Sequence, residues 1–402
     1  MSDSSRERTV TRRSMLGTLG LAAGTTAFVH DALGSAEKPG AQVEDRATSI
    51  RINGIKPTIC ADRVYLKVMT NHGVSGWGEI KGVFPKVAKS LCEEMFSLLD
   101  GQNPTRIEHI WQILYRAHRN HRGGPFMVHC IAGIDAALWD ITGKLYGVPV
   151  YRLLGGPTRD KLRVYPAEKA VKLGASQRRH VGDPIDIDRL VEQVRSTRER
   201  VGRDGTVMFD THSAIPHVMV QQFAASIEAY DLLFIEEPSV PGNVHVFKKL
   251  RDEIRVPLAT GERVRTIWEV MPYLTEQAVD ILQPDAGYTG GISQLMKIAT
   301  LAEAYFVPLA PHCTQSFLGS TTSFHAAFSV PFFLIHEVYE FKEFTPIVRK
   351  TWEIKDGYAT LPQGTGLCVE IDEAALERVA ATTKTRFKWR RERLPDGAVA
   401  DY

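Results

Sequence analysis

Six short apolar runs between Thr206 and Glu337, each ending in a carboxylate or a histidine, restrict this chain to a narrow set of folds. The runs TVMF, LLFI, PLATG, VDILQP, VPLAP and FFLIH lead to Asp210, Glu236, Glu262, Asp285, His312 and Glu337, at steps of 26, 26, 23, 27 and 25 residues. An apolar run of four to six residues followed by an amphipathic stretch reads as a buried parallel strand and its crossover helix. Repeated at this length, the unit predicts an α/β fold of the TIM-barrel type. Polar residues at the C-terminal ends of barrel strands converge on one mouth, while the strand interiors fill with side chains. The acids are therefore expected to face one point.

A barrel of this kind takes about 250 residues, so a 402-residue chain has room for a second, smaller domain. A 44% hydrophobic and 24% charged composition is that of a soluble globular protein. The net charge of +2, with no long basic block beyond the N-terminus, argues against nucleic acid as a partner. Cys60, Cys92, Cys130, Cys313 and Cys368 are odd in number and widely spaced, which predicts neither a disulfide framework nor a zinc site.

The first 36 residues differ in character. RERTVTRRSMLG carries four arginines, Leu16 to Val29 is uncharged, and Gly34, Ser35 and Ala36 offer small residues for cleavage. This order resembles a twin-arginine export signal with Thr11, Arg12, Arg13, Ser14, Met15 and Leu16 at its core, and implies a periplasmic protein. The apolar run is too short for a membrane span, and no stable membrane anchor is expected. Residues 37–48 read as a polar linker.

Residues 49–157 are expected to form an α+β domain. VYLKV and VSGWGE make a hairpin turning at Asn71 to Gly73. Two helices follow, with Ile107, Ile110, Trp111 and Leu114 on the inner face of one and Ile131, Ile134, Leu138, Ile141 and Leu145 on that of the other. The Gly155, Gly156, Pro157 turn separates them from the barrel, residues 158–365, and residues 366–402 supply a strand and helix that return toward the first domain.

GWGE, GIDAALWDITGKLYGVPVYRLLGG, FIEEP, TGER, QPD, GGI, PHC and GLCVEID, in that order, resemble the enolase superfamily, its mandelate racemase subgroup, and most of all the D-galactonate dehydratases. The resemblance covers nearly everything after residue 50. It implies a modified barrel with an α+β cap, a divalent metal, normally Mg²⁺, and a symmetric homo-oligomer. It makes Asp210, Glu236 and Glu262 the metal ligands. Independently, hard oxygen ligands at three strand ends suit Mg²⁺. Glu237, adjacent to Glu236, faces the other way along a strand and is expected to be structural.

The proton beside a carboxylate is weakly acidic, and its removal leaves charge on oxygens that a bound cation can stabilise. His312 is the candidate base, with Asp285 to hold its tautomer. The resemblance assigns that pair the same task, makes His212 the acid that protonates the departing hydroxyl, and makes Glu337 the partner of the charged oxygens. Strand alternation puts His212 on the side of Asp210. His118 and His121 lie in a basic, solvated run. Lys169 and Lys172 stand near the family's second-strand lysine position without its two-lysine pattern, and neither is assigned as a base.

One departure stands out. Only Ala167, Glu168 and Lys169 separate LRVYP from AVKL, whereas a parallel crossover needs a dozen residues or more. The first crossover is therefore expected to be shortened, with the segment from Gly174 to Pro184, or another subunit, covering the gap. The expected activity is Mg²⁺-dependent dehydration of a small acid sugar to a 2-keto-3-deoxy acid. The alternatives are dehydration of another acid sugar such as mannonate or gluconate, epimerisation, and a catalytically dead exported binding protein.

Overall fold

The computed structural model describes residues 47–175, 186–384, 393–394 and 396–399. The expected export signal lies outside the described residues, as does most of the segment from Gly174 to Pro184. Residues from Ile50 onward form one compact unit, which carries the fold that follows. Among the described residues no helix is long and apolar enough to cross a membrane, and all five cysteines are free and buried.

The cap begins with an antiparallel meander of β1 (Ile52–Cys60), β2 (Arg63–Thr70) and β3 (Ser75–Ile80). Three helices follow: α1 (Pro85–Leu99), α2 (Ile107–Arg116) and α3 (Gly124–Tyr146). The apolar faces expected of α2 and α3 are the buried ones. The glycines of GWGE admit α3 onto the sheet, since a Cβ on Gly76 or Gly78 would stand 2.0 or 1.9 Å from the carbonyl oxygens of Ala137 and Gly133.

The motif acids are struts between cap and barrel. Asp140 accepts from the Trp77 N–H at 3.0 Å and the Leu367 N–H at 2.8 Å, and pairs with Lys144 at 2.6 Å. Asp135 accepts from the Ser293 N–H at 3.1 Å, packed so close that Gly291 has no room for a Cβ. Glu79, ion-paired to Arg63 at 2.8 Å, accepts from the N–H groups of Ser316 at 2.9 Å and Gly319 at 3.1 Å. Each buried carboxylate is thus hydrogen-bonded, as burial of charge demands: Asp135 by the barrel, Glu79 by cap and barrel, and Asp140 by the cap and the segment that returns to it.

The barrel strands are β4 (Lys161–Tyr165), β5 (Ala170–Gly174), β6 (Thr206–Asp210), β7 (Ile235–Glu236), β8 (Leu258–Thr260), β9 (Ile281–Leu282) and β10 (His336–Glu337). β5 to β9 pair in parallel in chain order. Single bridges from Leu282 to Leu309 and from Leu309 to Phe333 carry the ladder on, and β10 pairs in parallel with β4. The interior is filled by Tyr165, Ala170, Met208, Phe234, Ala259, Ile281, Ala310 and Ile335, one from each successive strand position. Outside pack α4 (Ile187–Val201), α5 (His217–Ile227), α6 (Val244–Glu253), α7 (Thr266–Thr275), α8 (Ile292–Ala304) and α9 (Phe317–Ser329). The final helix α10 (Glu373–Thr382) lies against β1, with Glu377 2.7 Å from Lys56.

No helix joins β4 to β5. The chain turns through Glu168 and Lys169, with Ala167 and Ala170 exchanging backbone hydrogen bonds of 2.9 and 3.1 Å. The edge of β4 that would close on β5 is covered instead by the antiparallel strand Tyr358–Thr360, with Ala359 opposite Leu162. A crevice of about 580 Å³ remains between them, lined by Arg163, Lys169, Thr206 and Tyr358 among others.

Candidate active site

Asp210, Glu236 and Glu337 end their strands, and all three are buried because the strands that carry them are. Glu262 follows β8 by two residues, and Asp285 and His312 stand three residues beyond Leu282 and Leu309. The mouth of the barrel therefore gathers every expected site residue.

The basic centre of this cluster is Lys172, on β5. Its Nζ lies 3.3 Å from Asp210 Oδ2, 3.1 Å from Glu236 Oε2 and 2.7 Å from Glu337 Oε1. Burial alone would lower its pKa, but Glu236 and the other surrounding carboxylates hold it well above the ordinary lysine range. Lys172 was legible only as a lysine near a family position; its place among the carboxylates needs the β4–β5 geometry.

His312 and Asp285 are paired as expected: the Nδ1–H donates to Asp285 Oδ2 at 2.6 Å. Asp285 is fixed in turn by the Gln315 side-chain amide at 2.8 Å and the Gly287 N–H at 2.7 Å. This sets the tautomer and turns Nε2 toward Glu262 Oε2 at 3.2 Å and Glu337 Oε2 at 3.7 Å. Burial lowers the imidazole's pKa, yet Glu262, Glu337 and Asp285 outweigh it and push it up to about 10. In this carboxylate field His312 holds its proton, and it becomes a base when that field is neutralised.

His212 and Asp210 also meet, but not by strand alternation. β6 stops at Asp210, and His212 takes a left-handed φ of 45°. Its N–H donates to Asp210 Oδ1 at 2.8 Å and its Nε2 lies 3.0 Å from Oδ2. The hydrogen bond to Asp210 raises its pKa. Its side chain is 58% exposed, so it sits at the open side of the mouth. Glu237, with φ 47°, turns to Arg263 at 2.7 Å.

The three expected metal ligands do not converge. Asp210 and Glu236 share Lys172 while Glu262 turns to His312, and among the described residues no set of His, Cys, Asp or Glu side chains is arranged to enclose a metal ion. The donor chemistry nevertheless fits one. Glu236 Oε1 is buried with no hydrogen-bond partner, and burial and then the Asp210 charge push the Glu236 pKa up to about 8. Three carboxylates around one ammonium leave surplus negative charge that a divalent cation with oxygen ligands would satisfy.

Residues 55–155 match the mandelate racemase/muconate lactonizing enzyme N-terminal domain, and residues 160–375 match the enolase C-terminal domain-like family. The chain is 34% identical over 373 residues to D-galactonate dehydratase of Pectobacterium atrosepticum, covering 84% of this chain and 96% of that protein. It is 35% identical over 372 residues to that of Ralstonia pickettii, with the same coverage. A crystal structure of an enolase from Agrobacterium radiobacter, with bound Na and L-malate, superposes with a TM-score of 0.79 at 30% identity over 87% of this chain and 99% of that one. An enolase-superfamily structure from Salmonella Typhimurium gives 0.76 at 25% identity, over 82% and 98%.

Proposed function

This chain belongs to the mandelate racemase and muconate lactonizing enzyme family of the enolase superfamily, and on that premise we propose that it is a Mg²⁺-dependent acid-sugar dehydratase of the D-galactonate dehydratase type. The observation that carries the reading is the pairing of His312 with Asp285 at 2.6 Å on one side of the carboxylate cluster and of His212 with Asp210 at 3.0 Å on the other. An elimination needs both a base at the α-carbon and an acid at the β-oxygen. A simple epimerase needs no acid at the second place.

Asp210, Glu236 and Glu262 would hold Mg²⁺, which when bound supplies charge stabilisation at the substrate carboxylate. His312 Nε2, with Nδ1 committed to Asp285, takes the α-proton. Glu337, at the end of β10 and ion-paired to Lys172 at 2.7 Å, would stand beside the carboxylate oxygens on which charge accumulates. His212, whose pKa is raised by its hydrogen bond to Asp210, gives its proton to the β-hydroxyl, which leaves as water. The enol product then tautomerises to the 2-keto-3-deoxy acid.

The test is a screen of the purified protein with Mg²⁺ against a panel of acid sugars, detecting 2-keto acids. Formation of a 2-keto-3-deoxy acid supports the reading, and failure with every acid refutes it. The shortened β4–β5 connection favours one competitor, an inactive sugar-acid-binding protein, whose signature is Mg²⁺-dependent stabilisation by a ligand without turnover. Arg12 and Arg13 before an uncharged run support export by the twin-arginine route to the periplasm. The family implies a homo-oligomer. We assign residues 49–157 to the cap, 158–365 to the barrel and 366–402 to the returning segment.

A further inference from the structure

The cap holds two thiols against each other. Cys92, on α1, and Cys130, on α3, are both fully buried. A hydrogen bond joins their side chains, and the Cys130 thiol donates in turn to the Ala88 carbonyl oxygen at 3.7 Å. Ala88 stands one turn before Cys92 on the same buried face of α1, so the Cys130 sulfur is seated over that turn. The contact with Cys130, and then burial, hold the Cys92 thiol well above its ordinary pKa. The other three cysteines are engaged differently. Cys313 donates to the Gln315 side-chain oxygen at 2.9 Å, Cys368 donates to the Gly366 carbonyl at 3.8 Å, and Cys60 stands among Arg63, Asp62 and Glu79.

The two helices that carry this pair are held unequally. Beyond Pro85 in its first turn, α1 has little support at either end: Phe84 at its N-cap offers no side-chain acceptor, the first turn has no acid and the last turn no base. What holds α1 is its narrow apolar face of Ala88, Cys92, Met95 and Leu99. By contrast α3 is tied down on two sides, through Asp135 to the Ser293 N–H at 3.1 Å and through Asp140 to the Leu367 N–H at 2.8 Å. A covalent link from Cys92 to Cys130 would fasten the weakly held helix to the firmly held one.

We infer that Cys92 and Cys130 form a disulfide when the folded protein meets an oxidising compartment, stapling α1 to α3. The step is thiol–disulfide exchange, with a small-molecule or protein disulfide as the oxidant. One protein thiol loses its proton and attacks an oxidant sulfur, which forms a mixed disulfide and releases one oxidant thiolate. The second protein thiol, deprotonated in its turn, attacks the mixed disulfide, and the other oxidant thiolate leaves. The two protons pass to the released thiolates, and the two electrons lost by the protein reduce the oxidant. Burial keeps both sulfurs from the oxidant in the closed fold, so the first attack waits on an opening of α1. The step depends on the oxidant and not on the route by which the protein reaches it.

In the experiment the full chain is held in oxidised glutathione, or in dithiothreitol, until its thermal midpoint is constant, and is then alkylated in denaturant and weighed. The oxidised protein is expected to take two alkyl groups fewer than the reduced one, and its digest to contain linked peptides carrying Cys92 and Cys130. Its Tm is expected to be higher by about 5 °C, and dithiothreitol to reverse all three changes. Equal alkylation, glutathione carried on Cys92 or Cys130 without a link, a link to another cysteine, or a link that leaves Tm unchanged overturns the inference. Cys92→Ala and Cys130→Ala should each lose the Tm difference between the two buffers, and a difference that survives in either variant overturns it as well. Should a variant fail to fold, the digest and Tm of the wild type decide alone.

Discussion

Lys172 and Glu337 join the two sides of the barrel's closure by an ion pair of 2.7 Å, placing an ammonium where the surplus charge of Asp210 and Glu236 is greatest. A tethered cation in that position competes with a free one. Replacing Lys172 by Met is therefore expected to tighten Mg²⁺ binding about tenfold or more in calorimetry, since the carboxylates lose their resident counter-charge. Equal or weaker binding in the variant would show that Lys172 and the metal occupy different places.

His212→Asn separates the two proton transfers. His312, the proposed base, and its partner Asp285 are untouched by this change, so exchange of the substrate α-proton with deuterated water is expected to persist. Dehydration should fall by about a hundredfold or more. Equal loss of exchange and dehydration would assign His212 to holding Asp210 instead.

His325, on the buried face of α9, accepts from the Tyr151 N–H through Nδ1 at 3.2 Å, and is pushed down by burial to a pKa of about 4. Its contribution to stability is complete above the unfolded value of about 6.5 and is lost as the pH falls through about 4, because the unfolded chain takes up a proton that the folded one refuses. The full loss amounts to about 3 kcal/mol. In His325→Asn, where Oδ1 can still accept from Tyr151, urea unfolding measured from pH 7.5 to 4.5 should have a flatter pH dependence than wild type. A parallel pair of curves would mean that His325 is not neutral in the fold.

Amide exchange should map the altered closure. β4 is paired on both edges, with Val338 N–H donating to Tyr165 and Val164 N–H to Gly357, so Leu162 to Val164 are expected to exchange slowly, together with Phe209 and Ile235. Glu168 and Lys169, exposed at the tip of the turn, should exchange fast. Slow exchange throughout residues 166–170 would indicate a cover that the described residues do not contain.

Much of this arrangement was legible in the chain itself. The spacing from Asp210 to Glu337 located the strand ends because parallel strands with crossover helices have nearly constant length, and the ordered motifs located the cap. The same logic failed at Asp210 and His212, where strand periodicity placed the right residues together for the wrong reason: β6 ends at Asp210, two residues short of His212, and a left-handed turn brings them together. It also left the three acids converging, whereas Lys172 divides them, since charge balance among buried groups depends on distances that spacing does not carry. The strand Tyr358–Thr360 beside β4 was invisible for a related reason. A three-residue pairing between positions nearly two hundred residues apart has no local signature.

Glu79 has a reach beyond its own domain. Its oxygens anchor Ser316 and Gly319, in the stretch that leaves His312 and enters α9, while Arg63 holds it from the cap sheet. The position of His312, the proposed base, is thus referred to the cap sheet. A substitution in β2 or β3 that displaces Glu79 would accordingly be felt at the stretch that carries His312 as well as in the cap.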